Sequence, residues 1–296
     1  MTSTQIAKPA NFTRRSKSFV KKFAREGRYH LIPVYWLLRL SDFGREGMEH
    51  SGSYRFADHM YRGVPSGRGF LGRWIDSILL KLPATRSMRQ RCFKSRDAML
   101  HAFTAHCAAH VSEQFRVLSV PCGLPRDVRD VAAHLALEDP RALARIEYTG
   151  IDLDPEVIGA AHSFLAGSAI DKPNLRVGNA LDASAYPPAP QHFIASTGLG
   201  EFLQDEELAR FYANVFEALA PGGTFFTSAA SASGRGTTAL LEAFELNAHY
   251  RTSADIERFL ATQPWESVEI TRDAIGLQTF VHARKGKARA SNSCAP

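Results

Sequence analysis

The sequence predicts an α/β fold, a mostly parallel sheet preceded by a helical segment. Three observations carry that expectation. Before residue 115, apolar residues recur at helical spacing and no strand-like run interrupts them. After residue 115, short apolar runs alternate with amphipathic segments, the pattern of parallel strands covered by helices on both faces. The last two apolar runs, 268–272 and 279–283, follow each other directly, as a closing antiparallel pair would.

Taken in order, helices are expected over 15–26, 31–40, 52–62, 70–82 and 85–112, with Pro65, Gly67, Gly69 and Pro83 as punctuation. Residues 115–120 read as a first strand. A helix follows over 127–137, with Val128, Val131, Ala132 and Leu135 on one face. Residues 147–153 read as a second strand. The helix over 155–165 starts on Pro155, where a missing N–H costs nothing. Strands are expected at 175–177 and 192–196, then a helix over 205–219 presenting Leu208, Phe211, Val215 and Leu219. Pro221-Gly222-Gly223 reads as a turn before a strand at 224–228, and 237–248 and 254–261 read as helices. The expected organisation is a basic arm (1–30), a helical cover (31–112), a sheet domain (113–285) and a short tail (286–296).

Composition excludes several classes. The chain has 296 residues, 45% hydrophobic and 22% charged, as globular proteins do. Its net charge of +6 sits at the ends. Residues 1–30 carry +7 and 284–289 carry +4, so 31–283 carry −5. A core of that sign does not track a phosphate backbone, so no nucleic-acid partner is expected. The basic start also has the make-up of a transit peptide, but a solvated arm is the simpler reading. The four cysteines form no CxxC pair, which speaks against a zinc ribbon or disulfide framework. The apolar run 31–38 is broken by Pro33 and falls short of the ~20 residues of a membrane span, so no membrane partner and a cytoplasmic location are expected. His101, His106, Cys107 and His110 lack an acidic third ligand at a recognisable spacing, and no metal is expected. Asn11-Phe12-Thr13 fits a glycosylation sequon, with nothing else pointing to secretion.

In parallel sheets ligands sit outside the carboxyl ends of the strands, so the residues there matter most. The first turn reads Ser119-Val120-Pro121-Cys122-Gly123-Leu124-Pro125-Arg126-Asp127. The second strand ends in Gly150-Ile151-Asp152-Leu153-Asp154-Pro155. An acid one β-α-β unit after a tight glycine turn can hold a ribose through both hydroxyls. The third strand leads into Gly178-Asn179-Ala180-Leu181, and the fourth into Ser196-Thr197-Gly198-Leu199-Gly200-Glu201.

In this order the elements resemble the class I S-adenosylmethionine-dependent methyltransferases, over about residues 115–283. The resemblance implies a Rossmann-like, mostly parallel seven-stranded sheet with an N-terminal helical lid, and S-adenosylmethionine as cofactor. It implies that Pro121, Cys122 and Gly123, with Ser119 at the strand end, approach the methionine part. It implies that Asp152 accepts from the ribose hydroxyls, with Leu153 beside the adenine. Asn179 matches a position that accepts from the adenine amine, with Ala180 and Leu181 next to it, and Ser196 and Thr197 flank the reacting centre. The turn departs from the family pattern: Ser119 stands at an acid position, and Pro121 and Pro125 replace glycines, fixing φ and removing N–H donors. Arg126 and Asp127 are nearby substitutes for holding the cofactor's amino-acid tail, although Asp127 at a helix start is explained by the helix dipole alone.

Methyl transfer is an in-line displacement that needs alignment and exclusion of water, and a base only when the acceptor starts as an acid. Glu201, just past the fourth strand, is the acid/base candidate. Tyr54, Asp58, Tyr61 and Arg62 share a helical face by i, i+4, i+7, i+8 spacing, the tyrosines as catalytic and Asp58 and Arg62 as substrate-binding candidates. The same helix can instead pack Phe56, Met60 and the tyrosine rings inward. The expected reaction is methylation of a small molecule, with oligomeric state left open. Ser196-Thr197-Gly198-Leu199 lacks the Asn/Asp-Pro-Pro-Tyr pattern of base amino-group methylation. The alternatives are a cyclase that, like azetidine-2-carboxylate synthases, closes the cofactor's own arm and releases methylthioadenosine, and a non-catalytic nucleoside-binding protein. A nicotinamide enzyme is disfavoured because the first turn lacks GxGxxG.

Overall fold

A computed structural model describes residues 19–49, 53–231 and 249–287. The described residues divide into two compact units, one up to Arg86 and one from Ser87 onward. The boundary expected at 112/113 therefore lies earlier, inside a long helix. The helix expected over 237–248 lies outside the described residues, as do residues 1–18 of the basic arm.

The N-terminal unit contains α1 (Phe19–Arg25), α2 (Leu31–Leu38), α3 (Asp42–Glu49), α4 (Tyr54–Arg62) and α5 (Gly69–Lys81). Helix α4 is bounded as its sequence dictates. Ser53 accepts from the Phe56 N–H at its start, and Gly63 closes it in the left-handed region at φ 64°. Helix α3 was not expected, because Gly44 and Gly47 are poor helix formers. Tertiary bonding holds it. The buried Asp76 carboxylate accepts from the Ser41 hydroxyl, from the Phe43 N–H (3.2 Å), and from the Ser66 and Gly67 N–H groups (2.8 Å each). One buried acid thus ties α3, α5 and the loop between α4 and α5, with its charge met by four donors. The chain after α2 meets the start of α5 where Arg68 N–H donates to the Leu40 carbonyl (2.9 Å).

The sheet unit begins within α6 (Pro83–Ala109) and continues with β1 (Phe115–Ser119), α7 (Arg126–Glu138), α8 (Pro140–Leu143), β2 (Ile146–Asp152), α9 (Pro155–Leu165) and β3 (Asn174–Val177). Then come β4 (Gln191–Thr197), α10 (Asp205–Ala218), β5 (Leu219–Ala230), α11 (Ser253–Leu260), β6 (Trp265–Arg272) and β7 (Gln278–Lys285). The seven strands lie in the order β3-β2-β1-β4-β5-β7-β6. All pairs are parallel except those of β7 with β5 and β6. The order reverses between β1 and β4, which opens a crevice at their carboxyl ends.

Both faces of the sheet are covered. On one, Leu118, Ile151, Ile194 and Phe225 pack under Phe211 and Val215 of α10 and Leu260 of α11. On the other, Val117, Tyr148, Phe193 and Phe226 pack under Val128 and Val131 of α7 and under Ala98, Met99 and Phe103 of α6. Helix α6 is thus part of the sheet unit's core. Pro221-Gly222-Gly223 belongs to β5 and is not a separate turn. Leu219 already pairs with Gln191, the register shifts between Gln191 and Phe193, and Thr224 faces Phe193. That irregularity accommodates a proline in a paired strand. Among the described residues, no helix is long and apolar enough to cross a membrane.

Candidate functional site

The crevice is built from the ends of β1, β2, β4 and β5. At the first turn, Cys122 N–H donates to the Ile151 carbonyl (2.8 Å), lashing the turn to β2. Gly123 takes φ +50°, a conformation that favours glycine, and a Cβ there would point into open space. Its N–H donates to Asp152 Oδ2 (3.1 Å), while the Asp154 N–H donates to Oδ1 (3.2 Å). The turn and the acid expected to flank a ribose are therefore in direct contact. Each carboxylate oxygen spends one lone pair on a backbone donor and keeps capacity for a ligand hydroxyl. Burial raises the Asp152 carboxyl above the ordinary value, the two N–H bonds opposing it. Burial and the nearby Asp152 charge raise the Cys122 thiol, so it is a packed side chain and not a nucleophile. Pro121 is half-buried and follows a cis peptide.

The residues expected on the adenine side lie next to this acid. Gly178 N–H donates to the Asp152 carbonyl (2.9 Å). Leu153 is exposed just past β2, and Ala180 and Leu181 are half-buried at the rim of the core. Asn179 is exposed, and its Oδ1 already accepts from the Leu181 N–H (3.0 Å). It fixes the loop first, with one lone pair left for a ligand. The Ala180 carbonyl is held by the Tyr186 hydroxyl (2.9 Å) and the Asn214 amide (3.3 Å). Ser119 is buried at the end of β1, on the neighbouring strand to the buried Tyr148 phenol, whose ionisation burial opposes strongly. The Ser196 and Ser228 hydroxyls, at the ends of β4 and β5, are buried with no hydrogen-bond partner among the described residues. Thr197 is half-buried opposite Ser228. Buried hydroxyls without partners at adjacent strand ends fit a crevice whose polar partner is a ligand.

The other residues have different surroundings. Glu201, on the short turn Gly200–Phe202, is buried in an ion pair with Arg91 of α6, at 2.9 Å and with both side chains 6% exposed. Its second oxygen accepts from the Ala230 N–H (3.2 Å). Both oxygens of this acid/base candidate thus hold structure, tying α6, the loop after β4 and the end of β5. Arg251 clamps the same loop by donating to the Gly200 (2.6 Å) and Leu203 (2.7 Å) carbonyls and to Asp205 (2.9 Å). Neither arginine was picked out from the sequence. For Arg91 the one signal in the sequence was the spacing of Ser87, Arg91 and Ser95 at i, i+4, i+8, a polar stripe that the structure buries. Asp127 accepts from the Ser95 hydroxyl (2.5 Å) and the Val128 N–H (2.9 Å), so it anchors α7 to α6. Arg126 lies over the Phe164 ring at 4.9 Å.

Within the N-terminal unit, α4 buries Phe56, His59 and Met60, and leaves Tyr54, Asp58 and Tyr61 half-buried and Arg62 exposed. Asp58 and Arg62 bridge each other (3.2 Å), and the Arg55 guanidinium lies over the Tyr54 ring. At the opposite, amino end of the sheet, ligand atoms of His106, Glu113 and His192 lie within 4.8 Å of one another. His192 Nδ1 accepts from the Arg116 N–H (3.0 Å), and the Arg116 guanidinium stands 3.9 Å from Glu113. Burial, then Arg116 and His106, push His192 down to about 4. A neighbouring guanidinium and a ring nitrogen engaged by backbone make this a hydrogen-bonded stack of neutral rings.

The comparisons with known proteins bear on the fold and the family. A protein from Bordetella parapertussis described as a possible exported protein aligns at 21% identity over 86% of this chain and 87% of its own, with a TM-score of 0.67. The S-adenosylmethionine-dependent methyltransferase SibL aligns at 14% identity over 91% of this chain and 78% of its own, with a TM-score of 0.52. The CMeT domain of the citrinin polyketide synthase aligns at 15% identity over 88% and 68%, also at 0.52. These likenesses are of fold, and the fold is that of the class I S-adenosylmethionine-dependent methyltransferases. No curated protein sequence matches the chain. The profile of the family Methyltransf_20, described as "Putative methyltransferase", matches residues 40–231, more than half of the chain, and the protein belongs to that family.

Proposed function

We propose that this methyltransferase binds S-adenosylmethionine at the ends of β1, β2 and β4 and transfers its methyl group to a small molecule. The observation that carries the reading is the Asp152 carboxylate, held by Gly123 and Asp154 N–H groups with acceptor capacity to spare. When bound, the cofactor supplies an electrophilic methyl on a sulfonium, and the acceptor displaces a neutral thioether. In this reading Asp152 accepts from the ribose hydroxyls, and Leu153 and Leu181 flank the adenine with Ala180 and Asn179. Pro121, Cys122, Gly123 and Ser119 shape the wall beside the amino-acid tail, with Ser196 and Thr197 beside the acceptor. Glu201 positions the loop that follows them, because both its oxygens are engaged. Tyr54 and Tyr61 stay our catalytic candidates beside the acceptor, and Asp58 and Arg62 our candidates for binding it, on their mixed aromatic and charged make-up. The acidic charge of residues 31–283 supports a metabolite over nucleic acid. Cys92, Cys107 and Cys122 as free thiols support a reducing compartment, the cytoplasm.

The test joins calorimetry to product analysis. Wild type should bind S-adenosylhomocysteine, and Asp152→Ala, losing two charge-assisted hydrogen bonds, should bind about 100-fold more weakly. Equal binding by both proteins, or none by either, refutes the site. With S-adenosylmethionine and no acceptor, the protein should leave the cofactor intact. Accumulating methylthioadenosine would establish the cyclase chemistry instead.

A further inference from the structure

We propose that the N-terminal unit docks on anionic membrane surfaces through the exposed apolar side chains of α2 and α5. Helix α5 is apolar on two sides. Gly72, Ile75 and Leu80 face the unit's interior with the Asp76 carboxylate. Phe70, Leu71, Trp74 and Ile78 occupy a separate arc of about 100° by helical spacing and are exposed, Phe70 by 86% and Trp74 by 53%. Helix α2, of sequence LIPVYWLL, buries no residue, and its Trp36 and Leu37 are 55% and 44% exposed. Both helices belong to the same unit, and the chain just past α2 is tied to the start of α5, the Leu40 carbonyl accepting from Arg68 N–H. A helix apolar all round belongs in an interior, and clustered exposed aromatic and aliphatic side chains mark an interaction surface.

Charge selects the occupant. Residues 1–86 hold sixteen Lys and Arg against six Asp and Glu, a net +10, whereas residues 87–296 carry −4. Exposed Arg68, Arg73 and Lys81 border the α5 arc. Tryptophan and phenylalanine beside lysine and arginine is the make-up of a segment that lies in the bilayer interface, rings among the headgroups and cations against acidic lipid. A second copy docking through the same face would set Arg68, Arg73 and Lys81 against their own copies and would be opposed by its own charge. The inference revises the expectation of no membrane partner without invoking a span.

The test is co-sedimentation of the full chain with vesicles of phosphatidylcholine alone or mixed with phosphatidylglycerol. Binding is expected only to the anionic vesicles and should weaken as salt rises. The variant Phe70→Ser/Trp74→Ser should bind about tenfold or more weakly, with its thermal melting unchanged because both residues are exposed. In wild type, brominated acyl chains should quench Trp36 and Trp74 and spare the half-buried Trp265, a readout that needs no variant. Absence of vesicle binding overturns the proposal. So does undiminished binding by the variant, which would leave the basic arm alone responsible, or a dimer in sedimentation velocity that the variant abolishes while vesicles are ignored.

Discussion

Two ionisable residues show how much a buried charge depends on its partner. Arg91 and Glu201 stand 110 positions apart in the chain and meet at 2.9 Å out of water. Arg91→Ala should destabilise the sheet unit by about 3–5 kcal/mol in urea unfolding, because it leaves a carboxylate buried and uncompensated. Arg91→Met/Glu201→Gln should cost clearly less than Arg91→Ala, since no lone charge remains. A double variant as unstable as the single one would show that packing and not charge governs the site. His59 works in the opposite sense. Burial lowers its pKa, but the hydrogen bond and charge of Glu46 (3.0 Å) and the charge of Asp76 (3.9 Å) outweigh burial and Arg62, so the net shift is upward. A histidine raised above its unfolded value contributes stability that is full below about pH 6.5 and is lost as pH rises through the folded pKa. Thermal melting of wild type should therefore fall on going from pH 6 to above the folded pKa, and His59→Gln should flatten that part of the profile. A pH dependence unaltered in His59→Gln would assign it to other groups.

Glycines show at the scale of elements why some boundaries were legible in the sequence and others were not. The main helices and strands of the sheet unit followed from apolar periodicity, a local property, and the expectation that set Asp152 beside the first turn rested on its distance along the chain. Helix α3 did not, because the four donors gathered by Asp76 come from two segments separate from its own helix. The early start of β5 did not, because Pro221-Gly222-Gly223 is punctuation locally and becomes strand only when Gln191 pairs with Leu219. The Glu201 pairing was invisible for the same reason, since its partner lies on a helix that precedes β1. Two glycines make the distinction measurable. A Cβ at Gly72 would stand 2.3 Å from the Leu40 carbonyl oxygen and 2.9 Å from the Gly67 backbone, neither of which can swing away. Gly72→Ala should cost about 1–3 kcal/mol. Gly159, exposed within α9, has nothing within 4 Å of its Cβ position. Gly159→Ala should stabilise by about 0.5–1 kcal/mol through backbone entropy. Unfolding midpoints that shift in the same direction for both would refute the contact argument.

At the scale of the whole molecule, one helix runs across the division between the two units of the chain. Helix α6 starts in the N-terminal unit, yet from Ser87 onward it is core to the sheet unit, and a boundary drawn where the first strand begins would cut that core open. Ala98, Met99 and Phe103 bury against Phe115, Val117 and Val128, Ser95 holds Asp127, and Arg91 neutralises Glu201. Losing a buried Met or Phe costs about 2–5 kcal/mol each, and stranding a buried carboxylate costs about 3–5 kcal/mol more. A typical domain is stable by only about 5–15 kcal/mol, so the losses together approach the whole. A chain truncated to begin at Ser87 should therefore melt cooperatively and still bind S-adenosylhomocysteine. A chain truncated to begin at Glu113 should show no cooperative transition by circular dichroism and should expose apolar surface to a fluorescent dye. Equal folding of the two truncations would mean that α6 is an ornament on the sheet, and the division of the chain would return to the place its strand pattern first suggested.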